Sequence, residues 1–331
     1  MSVLQTNSTV RRRPGRFRIA TPAAIWLILT SLSFQGLYAM VAVVIDHSEP
    51  PGRNYEQADF RLWFPEEATR LRAVVLLVPG SNGDGRSSVE ELVWQEFASK
   101  HNLALLGCRF TDRPHDQSFI EHYVNVSEGS GQALLDALVA LSGPSGHPEL
   151  ATAPFLLWGM SAGGQFNYEF VAWKPERVVA FVVNKGGIYY SALVSKAARS
   201  VPGLLFTGEK DLESRTKTIT GLFAVNRRGG ALWALAEEPG AAHVVGRSRD
   251  MALIFFEDVL PLRLPVTVSG TCEPDRLRPI PEGSGFTGNP GNGTYEKADP
   301  AVPPDYPGVW LPTERTARAW RMLISGQPVN P

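Results

Sequence analysis

Between residues 59 and 260 the chain alternates short apolar runs with longer stretches whose apolar positions recur at helical spacing. Residues 59–64 alternate apolar and polar side chains, which predicts an edge or antiparallel strand. Residues 73–78 form a continuous apolar run that stops at Pro79-Gly80, as in a strand buried on both faces of a parallel sheet. Residues 87–100 place Val89, Leu92, Val93 and Phe97 at helical spacing, with Ser88 as the N-cap. A strand follows over 103–108. A helix over 130–141 then carries Leu134, Leu135, Leu138 and Leu141 on one side. Further strands are predicted over 154–158, 178–183, 203–207 and 231–236. Helices over 165–173, 214–226 and 247–259 separate or follow them. Strands alternating with helices require right-handed crossovers, so the pattern predicts an α/β fold with a doubly wound, mostly parallel sheet.

The flanks break this rhythm. Arg11, Arg12, Arg13, Arg16 and Arg18 precede a run without charge from Ile19 to Ile45. That layout is a secretory leader over residues 1–42, ending near Ala39 or Ala42, or an uncleaved membrane anchor of the same span. Either places the folded part, beginning at 43, outside the cytoplasm (periplasmic or extracellular). Beyond residue 262 the chain is rich in Pro and Gly, and 283–293 has almost pure turn composition. A helix over 313–323 and the indoles of Trp310 and Trp320 predict that this extension, 263–331, packs on the catalytic domain over 43–262.

Composition removes several classes. A hydrophobic fraction of 44% is ample for a core, which excludes a disordered chain. The net charge of −1 lacks the basic excess of a nucleic-acid surface. Cys108 and Cys272 are too few for a disulfide framework and lack metal-ligand spacing. One bridge between them in an exported protein, or two separate thiols, both stay open. No metal or organic cofactor is expected.

The chemistry gathers at the ends of the predicted strands. Gly159-Met160-Ser161-Ala162-Gly163 lies between the strand over 154–158 and the helix over 165–173. A serine flanked by glycines at a strand-to-helix turn is held proud of the sheet as a nucleophile. A serine hydroxyl needs a base, an acid to orient that base, and donors for the oxyanion. The strand over 203–207 runs into Glu209 and Asp211, and the strand over 231–236 leads to His243. Serine, acid, histidine is the order expected at the carboxyl edge of such a sheet. Asp211 is the preferred acid, because the turn needs a few residues before a side chain can swing back; Glu209 is the alternative. Backbone N–H groups of Ala162 and of Ser81, in Pro79-Gly80-Ser81-Asn82-Gly83, are the candidate oxyanion donors. That loop lacks the Gly-Lys-Ser/Thr ending of a phosphate-binding loop. Asn82, His115, Asn184, Lys185, Tyr189 and Tyr190 follow strands at the same edge and are candidates to line the cleft, with plain loop packing as the other reading. The segment between the strands ending at 183 and starting at 203 is too short for a large lid, so an open site is expected.

These residues resemble the α/β-hydrolase superfamily, nearer to its compact exported esterases (dienelactone-hydrolase-like, polyhydroxyalkanoate-depolymerase-like, feruloyl-esterase-like) than to lidded lipases. The resemblance covers about 59–260. It implies Ser161 as nucleophile, Asp211 as acid and His243 as base, with Ser81 and Ala162 as oxyanion donors. The family's dienelactone hydrolases carry cysteine where this chain has Ser161, so lactone chemistry is not implied. Pro79-Gly80 stands where many esterases have His-Gly, a variant seen in cutinase-like polyester hydrolases. The expected function is an exported serine hydrolase of carboxylic esters, small or polymeric, working through an acyl-enzyme. A peptidase or acyltransferase on the same fold, or a binding protein that keeps the fold without the activity, stays open.

Overall fold

The computed structural model describes residues 43–118, 120–264, 277–281, 283–301 and 307–330. The leader expected over 1–42 and Cys272 lie outside the described residues. Among the described residues, no helix is long and apolar enough to cross a membrane.

The elements run β1 (Val43–Glu49), β2 (Gln57–Phe64), β3 (Val74–Val78), α1 (Leu92–His101), β4 (Ala104–Thr111), α2 (Ser130–Ser145), β5 (Phe155–Gly159) and α3 (Ala162–Trp173). They continue as β6 (Val178–Asn184), α4 (Lys196–Arg199), β7 (Gly203–Gly208), α5 (Glu213–Arg228), β8 (Trp233–Glu238) and α6 (Ser248–Arg263). The last are β9 (Phe286–Gly288), β10 (Tyr295–Lys297), β11 (Val309–Leu311) and α7 (Glu314–Ile324).

β1 to β8 form one sheet in the order β1-β2-β4-β3-β5-β6-β7-β8. The β1–β2 and β2–β4 pairs are antiparallel, and every pair from β4–β3 onward is parallel. β3, β5, β6 and β7 are buried along their whole length. Helices cover both faces of these strands, which is why they read as unbroken apolar runs rather than alternations. This is the α/β-hydrolase fold, with a doubly wound, mostly parallel sheet.

Two local expectations are corrected. The helix over 87–100 is a 3-10 turn, Arg86–Glu90, followed by α1, whose N-cap is Glu91 rather than Ser88. Glu91 is extended (φ −71°, ψ 119°), so the two short helices are separate. β1 went unpredicted because its first residues prolong the uncharged run of the leader. It is an antiparallel edge strand, and pairing with β2, from Val43↔Phe64 to Glu49↔Ala58, supplies what its own pattern lacks.

The Pro/Gly-rich extension holds a small antiparallel sheet, β10-β9-β11, and α7. Trp320 is fully buried and its indole N–H donates to Leu235 O in β8 at 2.9 Å. The side chain of Thr313 caps α7 by accepting from Thr316 N. Cys108 is buried and free, and burial pushes its thiol well above the usual range. A buried neutral thiol of this kind is chemically inert.

Candidate active site

Ser161 sits on the tight turn between β5 and α3, with φ 55° and ψ −123°. A non-glycine residue in that region stores roughly 1–3 kcal/mol of strain, tolerated only where the surroundings over-determine it. Here they do. A Cβ at Gly159 would lie 2.4 Å from the carbonyl carbon of Gly163, and one at Gly163 would lie 2.2 Å from Val78 O. Neither position admits a side chain, so the flanking glycines are steric requirements of the turn. Ser161 N–H donates to Asn184 O at 2.8 Å, which ties the elbow to the end of β6.

The three side chains expected from sequence meet. His243 Nε2 is 3.0 Å from Ser161 Oγ, and His243 Nδ1 is 2.9 Å from Asp211 Oδ2. An ionised carboxylate can only accept, so Nδ1 carries the proton and Nε2 is left to accept from the serine hydroxyl. Asp211 lies just past β7 and its side chain is 2% exposed. Its Oδ1 accepts from Leu212 N–H at 2.7 Å and from Arg215 Nη1 at 3.1 Å. Burial pushes this carboxyl up, but the bond from His243, then Leu212 N–H and Arg215, outweigh it and hold it below its usual value. Glu209, the alternative acid, instead accepts from Gly240 N–H at 2.6 Å and is exposed.

No motif marks Arg215, although its place one helical turn after Asp211 is the spacing of an ion pair. A depressed carboxylate stabilises the fold above its unfolded pKa of about 3.9, and that contribution is lost as pH falls through the folded value. Arg215→Gln removes one donor and moves the folded value back up. The variant is expected to lose stability at neutral pH and to begin acid unfolding at a higher pH than wild type. Urea midpoints measured between about pH 2 and pH 7 check this; superimposable curves would refute it.

Of the expected oxyanion donors, Ala162 directly follows Ser161 and Ser81 lies in the loop after β3. Ala162 opens α3, where a backbone N–H has no acceptor within the helix. The loop after β3 is closed by Gly83 N–H on Gly80 O at 2.9 Å, which presents Ser81 and Asn82 at its tip. A Cβ at Gly80 would lie 3.8 Å from Ser161 Cβ, so this loop crosses directly beside Ser161. Asn82 braces the loop: its N–H donates to the Tyr123 hydroxyl at 3.2 Å, and its Oδ1 accepts from Asp112 N–H at 2.7 Å.

The other expected cleft residues divide. Lys185 does not line the cleft. Its side chain is fully buried, 3.2 Å from Glu238 Oε2, and donates to Val244 O at 2.8 Å. Glu238 also accepts from Arg247 N–H at 2.8 Å and Nε at 3.2 Å, and Arg247 Nη1 reaches Gln327 O at 2.7 Å. This cluster, which no sequence motif announces, clamps the loop carrying His243. Tyr189 also turns inward: its ring packs edge-on against Tyr168, and its hydroxyl is buried with no partner among the described residues. Asn184 is buried and donates to Ser248 Oγ at 2.7 Å. Tyr190 is exposed, with its hydroxyl donating to Glu121 O at 3.3 Å. His115 is exposed and stacks on His122 with centroids 4.4 Å apart. Leu212, Val244 and Val245 leave apolar surface open beside Asp211 and His243. Among the described residues no cluster of His, Cys, Asp or Glu has the makings of a metal site.

No family model matches the sequence, and no curated protein matches it. Solved structures similar to this chain include poly(aspartic acid) hydrolase-1 from Sphingomonas sp. KT-1, at 16% identity and TM-score 0.43, covering 63% of this chain and 97% of that one. A putative dienelactone hydrolase from Klebsiella pneumoniae subsp. pneumoniae MGH 78578 aligns at 16% identity and TM-score 0.41, over 62% of this chain and 90% of that one. LpqC, a poly(3-hydroxybutyrate) depolymerase from Bordetella parapertussis, aligns at 16% identity and TM-score 0.44, over 64% and 87%.

Proposed function

We propose that this chain is a serine hydrolase of carboxylic esters, exported from the cytoplasm, that works through an acyl-enzyme. The observation that carries the proposal is the unbroken hydrogen-bonded line from Ser161 Oγ through His243 to the buried Asp211. In that line Ser161 attacks the ester carbonyl carbon while His243 Nε2 takes the hydroxyl proton. The carbonyl oxygen becomes an oxyanion held by Ala162 N–H and Ser81 N–H. His243 then gives the proton to the departing alcohol, leaving an acyl group on Ser161. A water, deprotonated by the same nitrogen, attacks the acyl carbon; the bond to Ser161 Oγ then breaks, His243 returns the proton to that oxygen, and the acid leaves. Asp211 keeps the imidazole in the required tautomer and stabilises the imidazolium that forms.

Each elbow strain and brace described above supports this reading, because a serine in an incidental turn has no need of a costly φ of 55°. The test is a fluorophosphonate probe followed by peptide mapping. A phosphonate adduct on Ser161 is expected; a folded protein that takes up no probe would sink the proposal.

A further inference from the structure

The loop that carries His243 runs from Pro239 to Gly246 and has little apolar surface to pack. Within it only Ala241 is buried, and Val244 and Val245 are exposed. A loop with so few buried apolar contacts keeps its place through polar ties. Lys210 N–H donates to Ala241 O at 2.9 Å and Gly240 N–H to Glu209 Oε2 at 2.6 Å, while Arg247 N–H on Glu238 Oε1 closes the base. The Pro/Gly-rich extension grips both flanks of this loop. On the β8 side the Trp320 indole holds Leu235 O, just ahead of Glu238. On the α6 side the hydroxyls of Thr313 and Thr316 both donate to Asp258 Oδ2, and Arg315 Nη1 pairs with Asp258 Oδ1 at 3.0 Å. Past α7, Val329 is buried in the core, which fixes the segment around Gln327. There Gln327 O accepts from Arg247 Nη1 at the base of the loop.

We infer that the extension is a strap for the His243 loop: the segment around Gln327 keeps the imidazole in reach of Ser161, with Arg247 as the positioning residue through which it acts. The consequence for catalysis rests on the hydrolase reading above. A guanidinium is planar, so its bond to Gln327 O also fixes how its Nε meets Glu238 Oε1. Without the strap Arg247 is free to turn to water and Glu238 loses a donor. The loop then gains freedom at its base, and its exposed valines offer no packing to restrain it. A displaced imidazole weakens proton transfer in the transition state and leaves substrate binding alone, so kcat and kcat/KM fall together while KM holds.

Val329→Asp tests the strap, because a carboxylate where the segment packs on the core drives that segment into water. With p-nitrophenyl acetate, measured well below the Tm of the variant, kcat and kcat/KM are expected to fall about tenfold at constant KM. That is short of the roughly hundredfold that a 1 Å misplacement can cost. Arg247→Gln removes the bond to Gln327 O and is expected to lose at least as much. Val329→Asp should then add nothing in the Arg247→Gln background, since both changes cut one tie. Additive losses, or full turnover in Val329→Asp, would overturn the strap and leave the hydrolase reading standing. Amide exchange across 239–247 reads the same tie without any chemistry, and it is expected to quicken in both single variants. Unchanged exchange counts against the strap. Quickened exchange in a protein that takes up no probe at Ser161 keeps the strap while the hydrolase reading fails.

Discussion

Asp211→Asn is expected to lower kcat for ester hydrolysis by about four orders of magnitude, the loss seen when a triad carboxylate becomes an amide. The reason is the tautomer. An asparagine at this position can turn its NH₂ toward His243 Nδ1, which moves the ring proton to Nε2. That nitrogen then donates to Ser161 Oγ instead of accepting, and the hydroxyl keeps its proton. Stability should change by only about 1 kcal/mol, because the amide oxygen still accepts from Leu212 N–H and half-buried Arg215 can turn to water. Steady-state kinetics and urea midpoints together check the claim. A variant with near-normal turnover would remove Asp211 from the mechanism and return Glu209 to candidacy.

Lys185→Met should produce the largest loss of stability from a single change near the site. Removing one partner of a buried ion pair costs about 3–5 kcal/mol, and the lower end applies because Arg247 still faces Glu238. Methionine fills much of the volume of the lysine stem, so the cost comes from the lost charge and from Val244 O losing its donor. A loss of about 3 kcal/mol corresponds to a Tm lower by roughly 4–5 °C in a chain of this size. Activity should fall as well, since Val244 adjoins His243 and a 1 Å misplacement can cost about a hundredfold. Scanning calorimetry and kcat measured well below the new Tm separate the two effects. An unchanged Tm would mean that the buried ammonium contributes nothing to the clamp.

Those two residues also mark the limit of what could be read from the chain. Ser161, Asp211 and His243 were legible because each follows an apolar run that can only be a buried strand. The carboxyl ends of parallel strands share one edge whatever the intervening loops do. Glycine at 159 and 163 carried a similar local signal, since the turn excludes a Cβ at either place. Lys185 and Tyr189 were misassigned for the converse reason. They follow a strand at that edge, but position along the chain does not say whether a side chain points out over the cleft or back under it. Asn82 follows a strand at the same edge, and the structure adds that it braces the loop after β3 against Tyr123 and Asp112.

The chain alone therefore determined the strands of the central sheet from β2 to β8, the sheet type and the order of Ser161, Asp211 and His243, because burial periodicity and turn sterics act over a few residues. Tertiary structure decided everything that depends on partners far apart in sequence. It paired Asp211 rather than Glu209 with His243, sent the Lys185 ammonium to Glu238, and paired Arg215 with Asp211. It also brought Trp94 and Trp158 together in the core. Such contacts follow from the packing of whole helices against the sheet, and no local pattern encodes which side chain will fill a given gap.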